Sequence, residues 1–355
     1  MSNDRNCVRL GSWVITTVLL LFTGCIANIK TTSLDTDNSS PIPRAYEGLP
    51  IRGINIGNAL DAPKPGQWGV EIRPDYFRVI QQAGFNTVRL PVRFSAHAGN
   101  EPPYAIDTDF SAMVMDLVNH GLDNGLIVIL DMHHFDEIMV DPERYEEKLL
   151  SLWDQISRMF STYPDSLYYE ILNEPSGRLT RERWNNLSAR VISVIRKNDE
   201  QRKIIVDTVD FSSINTIKDL SLPDDDNLIV TFHFYDPFEF THQGAEWVNG
   251  SNRWLGNKWT GSIKEKEHIE EKLDQAANWS IRNKAPVIMG EFGTFEQADR
   301  ASRILWTEFL ARETEKRQMG WVYWQLCSNF ALFSCEKGEW DEALLGALIP
   351  IITSK

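Results

Sequence analysis

Glu174 and Glu291 each lie at the end of a short apolar run, Leu167–Glu174 and Ala285–Phe292. Polar or aromatic side chains close other runs of the same kind: Asn58, Arg89, His133, Asn173, His233 with Tyr235, and Trp324. Two carboxyl groups held about 5 Å apart can give a proton to a poor leaving group and a nucleophile to an acetal carbon, which is what hydrolysis of a glycosidic bond with retention requires. The two acids must then differ in proton affinity. A cation such as Arg89 beside Glu291 would keep that carboxylate ionised, while the neighbouring negative charge would hold the proton on Glu174. Once a glycosyl-enzyme has formed, Glu291 is neutralised and Glu174 can take a proton from water.

The adjacent histidines His133 and His134 admit a rival chemistry, since Asp131, Asp136 and Glu137 lie close by in sequence and could complete a metal site. Successive residues of a strand point to opposite faces, so both rings cannot share one ion while they keep strand geometry. Neither a metal nor a cofactor is expected.

For these residues to meet, the intervening elements must bring distant run ends to one place. Eight short apolar runs alternate with longer segments of helical period: Ile51–Gly57, Phe85–Pro91, Leu126–His133, Leu167–Glu174, Lys203–Thr208, Leu228–Tyr235, Ala285–Phe292 and Gly320–Leu326. Continuous stretches such as Leu126–Leu130 fit parallel strands buried on both faces. Phe110, Met113, Val114, Leu117 and Val118 mark one apolar helix face, and Leu187, Val191, Val194 and Ile195 another. Asp107, Thr180 and Asp299 are candidate N-caps, and Pro74 and Pro142 sit where a first helical turn tolerates proline. The pattern predicts an α/β chain folded as a single (β/α)8 TIM barrel, with its site at the carboxyl ends of the strands. Asp236–Gly261, rich in tryptophan, reads as a long loop after the sixth strand.

The ordered strings Val88-Arg89-Leu90-Pro91, Asp131-Met132-His133-His134, Asn173-Glu174-Pro175, His233-Phe234-Tyr235 and Gly290-Glu291-Phe292-Gly293 resemble the successive motifs of glycoside hydrolase family 5, the cellulase and mannanase family. The likeness covers roughly residues 48 to 350. The segments Gly53–Leu60 and Pro237–Trp247 are similar to thermotogal-type endoglucanases of that family, which also accept mannan. The resemblance implies a retaining endo-acting hydrolase of β-1,4-linked glucan, with Glu174 as acid/base and Glu291 as nucleophile. A dedicated β-mannanase and a non-catalytic sugar-binding barrel are the alternatives. It further implies that Arg89 and Tyr235 hydrogen-bond Glu291, that Asn173 binds the sugar 2-hydroxyl, and that Asn58, His133 and His134 bind other hydroxyls. His233 would sit near Glu174, Trp324 would form the floor of the sugar site, and Trp247 would meet the leaving-group side. Asp61, another implied hydroxyl contact, stands where the similar endoglucanases carry glutamate. Trp68, His242 and Trp247 are weaker candidates, because loop aromatics also serve to pin loops.

The chain has 355 residues, 42% of them hydrophobic, enough for one large domain. A formal charge of −14 and the lack of a Lys/Arg run argue against a nucleic-acid partner, while 12 Trp and 9 Tyr offer flat apolar faces to sugar rings. Arg5 and Arg9 precede the apolar run Trp13–Phe22, too short to span a bilayer, and Thr23-Gly24-Cys25 follows. This resembles a bacterial lipoprotein signal. Residues 1–25 would be the signal segment ending at Cys25, 26–47 a flexible tether, and 48–355 the catalytic domain. An ordinary secretory signal is the alternative, and export is expected either way: a periplasmic, cell-surface or secreted monomer that meets a membrane only through lipid at Cys25. Cys327 and Cys335 could close a short disulfide or remain two thiols.

Overall fold

Runs rich in Ile, Val and Leu need apolar cover on both faces, and in the computed structural model they find it by pairing in parallel around a closed barrel. The structure describes residues 42, 44, 45, 48, 49 and 51–350. The strands are β1 (Arg52–Asn55), β2 (Thr87–Val92), β3 (Ile127–Met132), β4 (Leu167–Glu170), β5 (Ile204–Asp207), β6 (Leu228–His233), β7 (Val287–Glu291) and β8 (Gly320–Tyr323). Each pairs with the next, and β8 closes on β1. All eight expected runs form strands, so the TIM barrel stands.

Several strands stop before the expected run does, Leu167–Glu174 at Glu170 and Gly320–Leu326 at Tyr323. Past the ends of β1, β3 and β4, Asn58, His134 and Glu174 adopt left-handed backbone (φ 61°, 49° and 49°), which turns the chain out of the ladder at the barrel mouth.

Outside the strands pack α1 (Asp75–Gln82), α2 (Thr108–Asp123), α3 (Pro142–Met159), α4 (Arg181–Arg196), α5 (Ile263–Asn283), α6 (Arg300–Lys316) and α7 (Glu342–Leu348). Between β5 and β6 the 3-10 turn Ile214–Asp219 replaces a full helix. Asp107 and Asp299 accept backbone N–H groups of α2 and α6 at 2.8 and 3.0 Å. Thr180 occupies the N-cap of α4, yet its side chain makes no capping bond. Met113, expected on the buried face of α2, is exposed, and the face runs through Phe110, Val114, Leu117 and Val118.

Alternation along the strands sorts the barrel interior into layers. Ile51, Ile129, Tyr168, Ile205, Ile229, Ile288 and Val322 form an apolar plug. Two residues further along β3, β4, β5 and β6 stand Asp131, Glu170, Asp207 and Thr231, all buried. Polar side chains so deep in a barrel need partners, and their supply decides the geometry of the mouth above.

The segment Asp236–Gly261 is less irregular than expected. It contains the helical turn Phe238–Thr241 and the 3-10 turn Ser251–Trp254, and it buries Trp259 while leaving Trp247 exposed. Cys327 and Cys335 are joined in a disulfide, their Cα atoms 5.8 Å apart. The expected signal segment with Cys25, and nearly all of the tether, lie outside the described residues. Ala45 is nevertheless buried, and its N–H donates to the Arg317 carbonyl at 2.6 Å, so packing on the barrel begins ahead of residue 48.

Candidate active site

The fully buried Arg89 of β2 organises the floor. Its Nε–H and one Nη2–H donate to the two oxygens of Glu170 at 2.8 and 2.7 Å, and Asp131 Oδ2 lies 3.0 Å from Nη2. A bidentate pair of this kind fixes the plane of the guanidinium. The remaining donors then have set directions: Nη1–H to Glu291 Oε1 at 2.7 Å and Asn55 Oδ1 at 2.9 Å, Nη2–H to Asn173 Oδ1 at 2.8 Å. With its oxygen tied to Arg89, Asn173 turns its amide N–H groups elsewhere, and Asn173 lines the groove. The rival sequence reading of Arg89, structural pairing inside the barrel, holds together with the functional one.

Glu291 ends β7 and accepts the Tyr235 hydroxyl on Oε2 at 2.9 Å. Burial pushes its carboxyl above the ordinary glutamate range, with His233, Arg89 and the Tyr235 hydroxyl pulling the other way. The sequence expectation weighed only Arg89 and missed the desolvation that outweighs it. Burial and the negative charge of Glu291 hold the Tyr235 phenol well above its usual value, so it stays a donor. Glu174, just past β4, binds His233 Nδ1 through Oε1 at 2.8 Å. A carboxylate oxygen of each glutamate and a ring nitrogen of His233 all lie within 4.8 Å of one another. That spacing falls with the double-displacement class of glycosidase and short of the wider gap that inversion needs for its water.

Above the pair opens a groove of about 550 Å³. Of the residues expected in the site, Asn58, Asp61, His133, His134, Asn173, Glu174, Tyr235, Trp247, Glu291 and Trp324 line it, while Arg89 and His233 lie beneath as supports. Trp324 lies parallel to the His133 ring, 5.9 Å between centroids, and Trp68 meets His134 edge-on at 5.5 Å. Trp247, 60% exposed, stands over Phe295 on the long loop. The weaker candidates Trp68 and His242 also reach the groove.

The alternation argument about His133 and His134 fails here, because β3 ends at Met132 and His134 is left-handed. Both rings face the groove, 4.4 Å apart, and a ligand atom of each lies within 4.8 Å of one from Asp61. These donors have protein partners: Asp61 accepts the N–H groups of Asn58 (3.0 Å) and Ala59 (2.6 Å), and Asp131 holds His133 Nδ1. Burial keeps His133 neutral, well below the usual imidazole range, and raises Asp61.

Sequence reasoning missed Glu170 and Asp207 under the site and Gln325, Ser328, Asn329 and Phe330 at its edge. The first two were legible as inward positions of β4 and β5. The others depend on the loop that the disulfide closes.

The family described as Cellulase (glycosyl hydrolase family 5) matches residues 46–330. Endoglucanase H of Acetivibrio thermocellus is 33% identical over 302 residues, 83% of this chain and 32% of that protein. Endoglucanase B of Clostridium cellulovorans is 28% identical over 77% of this chain and 65% of its own length. The chain thus spans from about a third to under two thirds of the length of these relatives. Among solved structures, Cel5A of Thermotoga maritima in complex with mannotriose superposes with a TM-score of 0.83 at 47% identity, covering 84% of this chain and 97% of that one. The same protein has been solved with cellobiose. The closed barrel, the convergent glutamates and these matches agree: the chain belongs to the cellulase family, glycosyl hydrolase family 5.

Proposed function

We propose that the chain is a retaining endo-β-1,4-glucanase in which Glu291 is the nucleophile and Glu174 the acid/base. Glu291 attacks the anomeric carbon while Glu174 gives its proton to the departing glycosidic oxygen. Water then loses a proton to Glu174 and displaces Glu291, regenerating both groups. Arg89 and Tyr235 aim the nucleophile, and Asn173 meets the 2-hydroxyl. Asn58, Asp61, His133 and His134 take other hydroxyls, Trp324 is the sugar floor, and Trp247 receives the leaving-group side. The spacing within 4.8 Å of two differently partnered carboxyl groups carries the reading. It is tested by proton NMR of the product from cellotetraose: the β-anomer first supports retention, and the α-anomer first overturns it.

A second reading, acceptance of mannan as well, is favoured by the 47% identity to a Thermotoga protein solved with both mannotriose and cellobiose. Reducing-sugar assays on barley glucan, carboxymethylcellulose, glucomannan and mannan decide between one polymer class and two. For location, the segment ending at Cys25 supports an exported lipoprotein, and we propose that it acts as a monomer. Radiolabelled palmitate on the wild type and none on Cys25→Ser tests the anchor, and light scattering tests the monomer.

A further inference from the structure

Asp207 takes no part in the chemistry just described, yet it is fully buried beside it. Its Oδ1 accepts the backbone N–H of Glu174 at 3.3 Å and the Ser212 hydroxyl at 2.6 Å, and its own carbonyl accepts Trp184 Nε1 at 2.7 Å. Its Oδ2 has no hydrogen-bond partner among the described residues, nor has the buried His233 Nε2. A carboxylate oxygen of Asp207 and a ring nitrogen of His233 lie within 4.8 Å, a gap that one bridging water spans. Thr231 Oγ1, also unpartnered, faces the same space, where a side chain at Gly290 would begin 2.3 Å from it and 3.3 Å from His233 Nε2.

The chain after β5 is bent to reach this arrangement. Asp210, Phe211 and Ser212 are three successive non-glycine residues in left-handed backbone (φ 55°, 62° and 52°). That conformation is unfavourable for each of them and persists only where its surroundings impose it. Its results are the Ser212 bond to Asp207 and the bridge pairing Ser213 with His233.

We propose that Asp207 is a positioning residue for Glu174, fixing its backbone directly and its carboxyl through His233, whose Nδ1–H it keeps turned toward Glu174. Either protonation state of Asp207 serves. Protonated, it donates through a bridging water to a neutral Nε2; ionised, it accepts through that water from the Nε2–H of an imidazolium. Burial disfavours the charged ring, but Glu291 and Glu174 outweigh it and lift His233 to about 9. Burial and Glu170 raise Asp207 well above the usual carboxylate range. Arg89 from β2, Asp131 from β3 and His133 just past β3 also face this pair.

The proposal rests on Glu174 being the acid/base, and leaving-group dependence tests it. Cellotetraose needs a proton on its departing oxygen, whereas dinitrophenolate leaves 2,4-dinitrophenyl β-cellobioside unaided. In Asp207→Ala, kcat/KM on cellotetraose should fall about 10- to 100-fold, with the pre-steady-state burst of dinitrophenolate within about threefold of wild type. Equal losses on both substrates, or none on either, overturn the proposal. Should that variant not fold, Asp207→Asn keeps the acceptor for Glu174 N–H but replaces the acid on the His233 side by an amide. Its loss on cellotetraose should exceed its loss on the dinitrophenyl substrate, and equal losses overturn the idea. If wild type leaves both sugars whole, the hydrolase reading itself fails. Proton NMR of 15N-histidine-labelled protein still decides: a downfield imidazole N–H should shift or vanish in either variant, and an identical signal refutes the link.

Discussion

Two side chains separate binding from chemistry at the scale of single residues. Glu291→Ala removes the proposed nucleophile and nothing that spans the groove, so it should lose at least about 10³-fold in kcat while calorimetric binding of cellotetraose survives. Comparable turnover in the variant would sink the mechanism. Arg89 is different in kind, because it is fully buried and faces Glu170, Asp131 and Glu291 at 3.0 Å or less. Arg89→Met leaves those carboxylates uncompensated and should cost about 3–5 kcal/mol in urea unfolding along with most activity. Replacing a surface cation such as Arg158, two thirds exposed beside Asp154, should cost under about 1 kcal/mol. The pH profile follows from Glu291 as well. Its carboxyl must be ionised to attack, and burial raises it, so activity is lost on acidification before the ordinary glutamate range is reached. A kcat/KM acid limb at or below that range would contradict the desolvated site.

At the scale of elements, much of this molecule was legible. The eight strands followed from apolar runs of the right length, and the run ends predicted which residues would meet, since a parallel barrel gathers all its carboxyl ends on one face. Glu174 and Glu291 were visible for that reason. What escaped had physical causes. The left-handed turns at Asn58, His134 and Glu174 depend on tertiary support that no local propensity encodes, so the first, third and fourth strands were set to end too late and the strand alternation assumed for His133 and His134 did not apply. Glu170 and Asp207 were legible as inward positions of their strands, but they lie inside no motif, and only the closed barrel brings them beneath the site. The groove edge formed by Ser328, Asn329 and Phe330 was hidden because pairing of Cys327 with Cys335 was undecidable from spacing. A separation of eight residues gives, on loop-closure entropy, about 2–3 kcal/mol from that bond. The double variant Cys327→Ser/Cys335→Ser should therefore melt several degrees lower under non-reducing conditions. Its KM should also rise, because the closed loop carries groove residues. An unchanged melting point and KM would show that the loop stands without the bond.

At the scale of the whole molecule, stability against pH depends on which buried groups titrate abnormally, and the signs differ. Asp61, Asp131, Asp207 and Glu291 are raised by burial, so their contribution is complete below the ordinary carboxylate values and is lost as pH rises through the raised ones. They add nothing to unfolding in acid. His233, lifted to about 9, contributes fully below the free imidazole value and loses that contribution as pH climbs through about 9. His242 runs the opposite way. Burial depresses it from 6.5 to about 4, so the folded chain binds this proton less readily than the unfolded one. Its contribution is complete above 6.5 and disappears as pH falls toward 4, an effect on the order of 3 kcal/mol for a ring so well buried. His133, held neutral by burial, acts in the same direction. Stability should therefore peak near neutrality and decline on the acid side through histidines, despite the surplus of carboxylates that gives the chain its charge of −14. Replacing His242 by glutamine removes one such proton while retaining a side chain of similar reach. Urea unfolding at pH 6.5 and pH 4 should show an acid loss about 3 kcal/mol smaller in His242→Gln than in wild type. Equal losses in the two proteins would mean that His242 titrates normally and that carboxylates, as in most acid denaturations, set the limit.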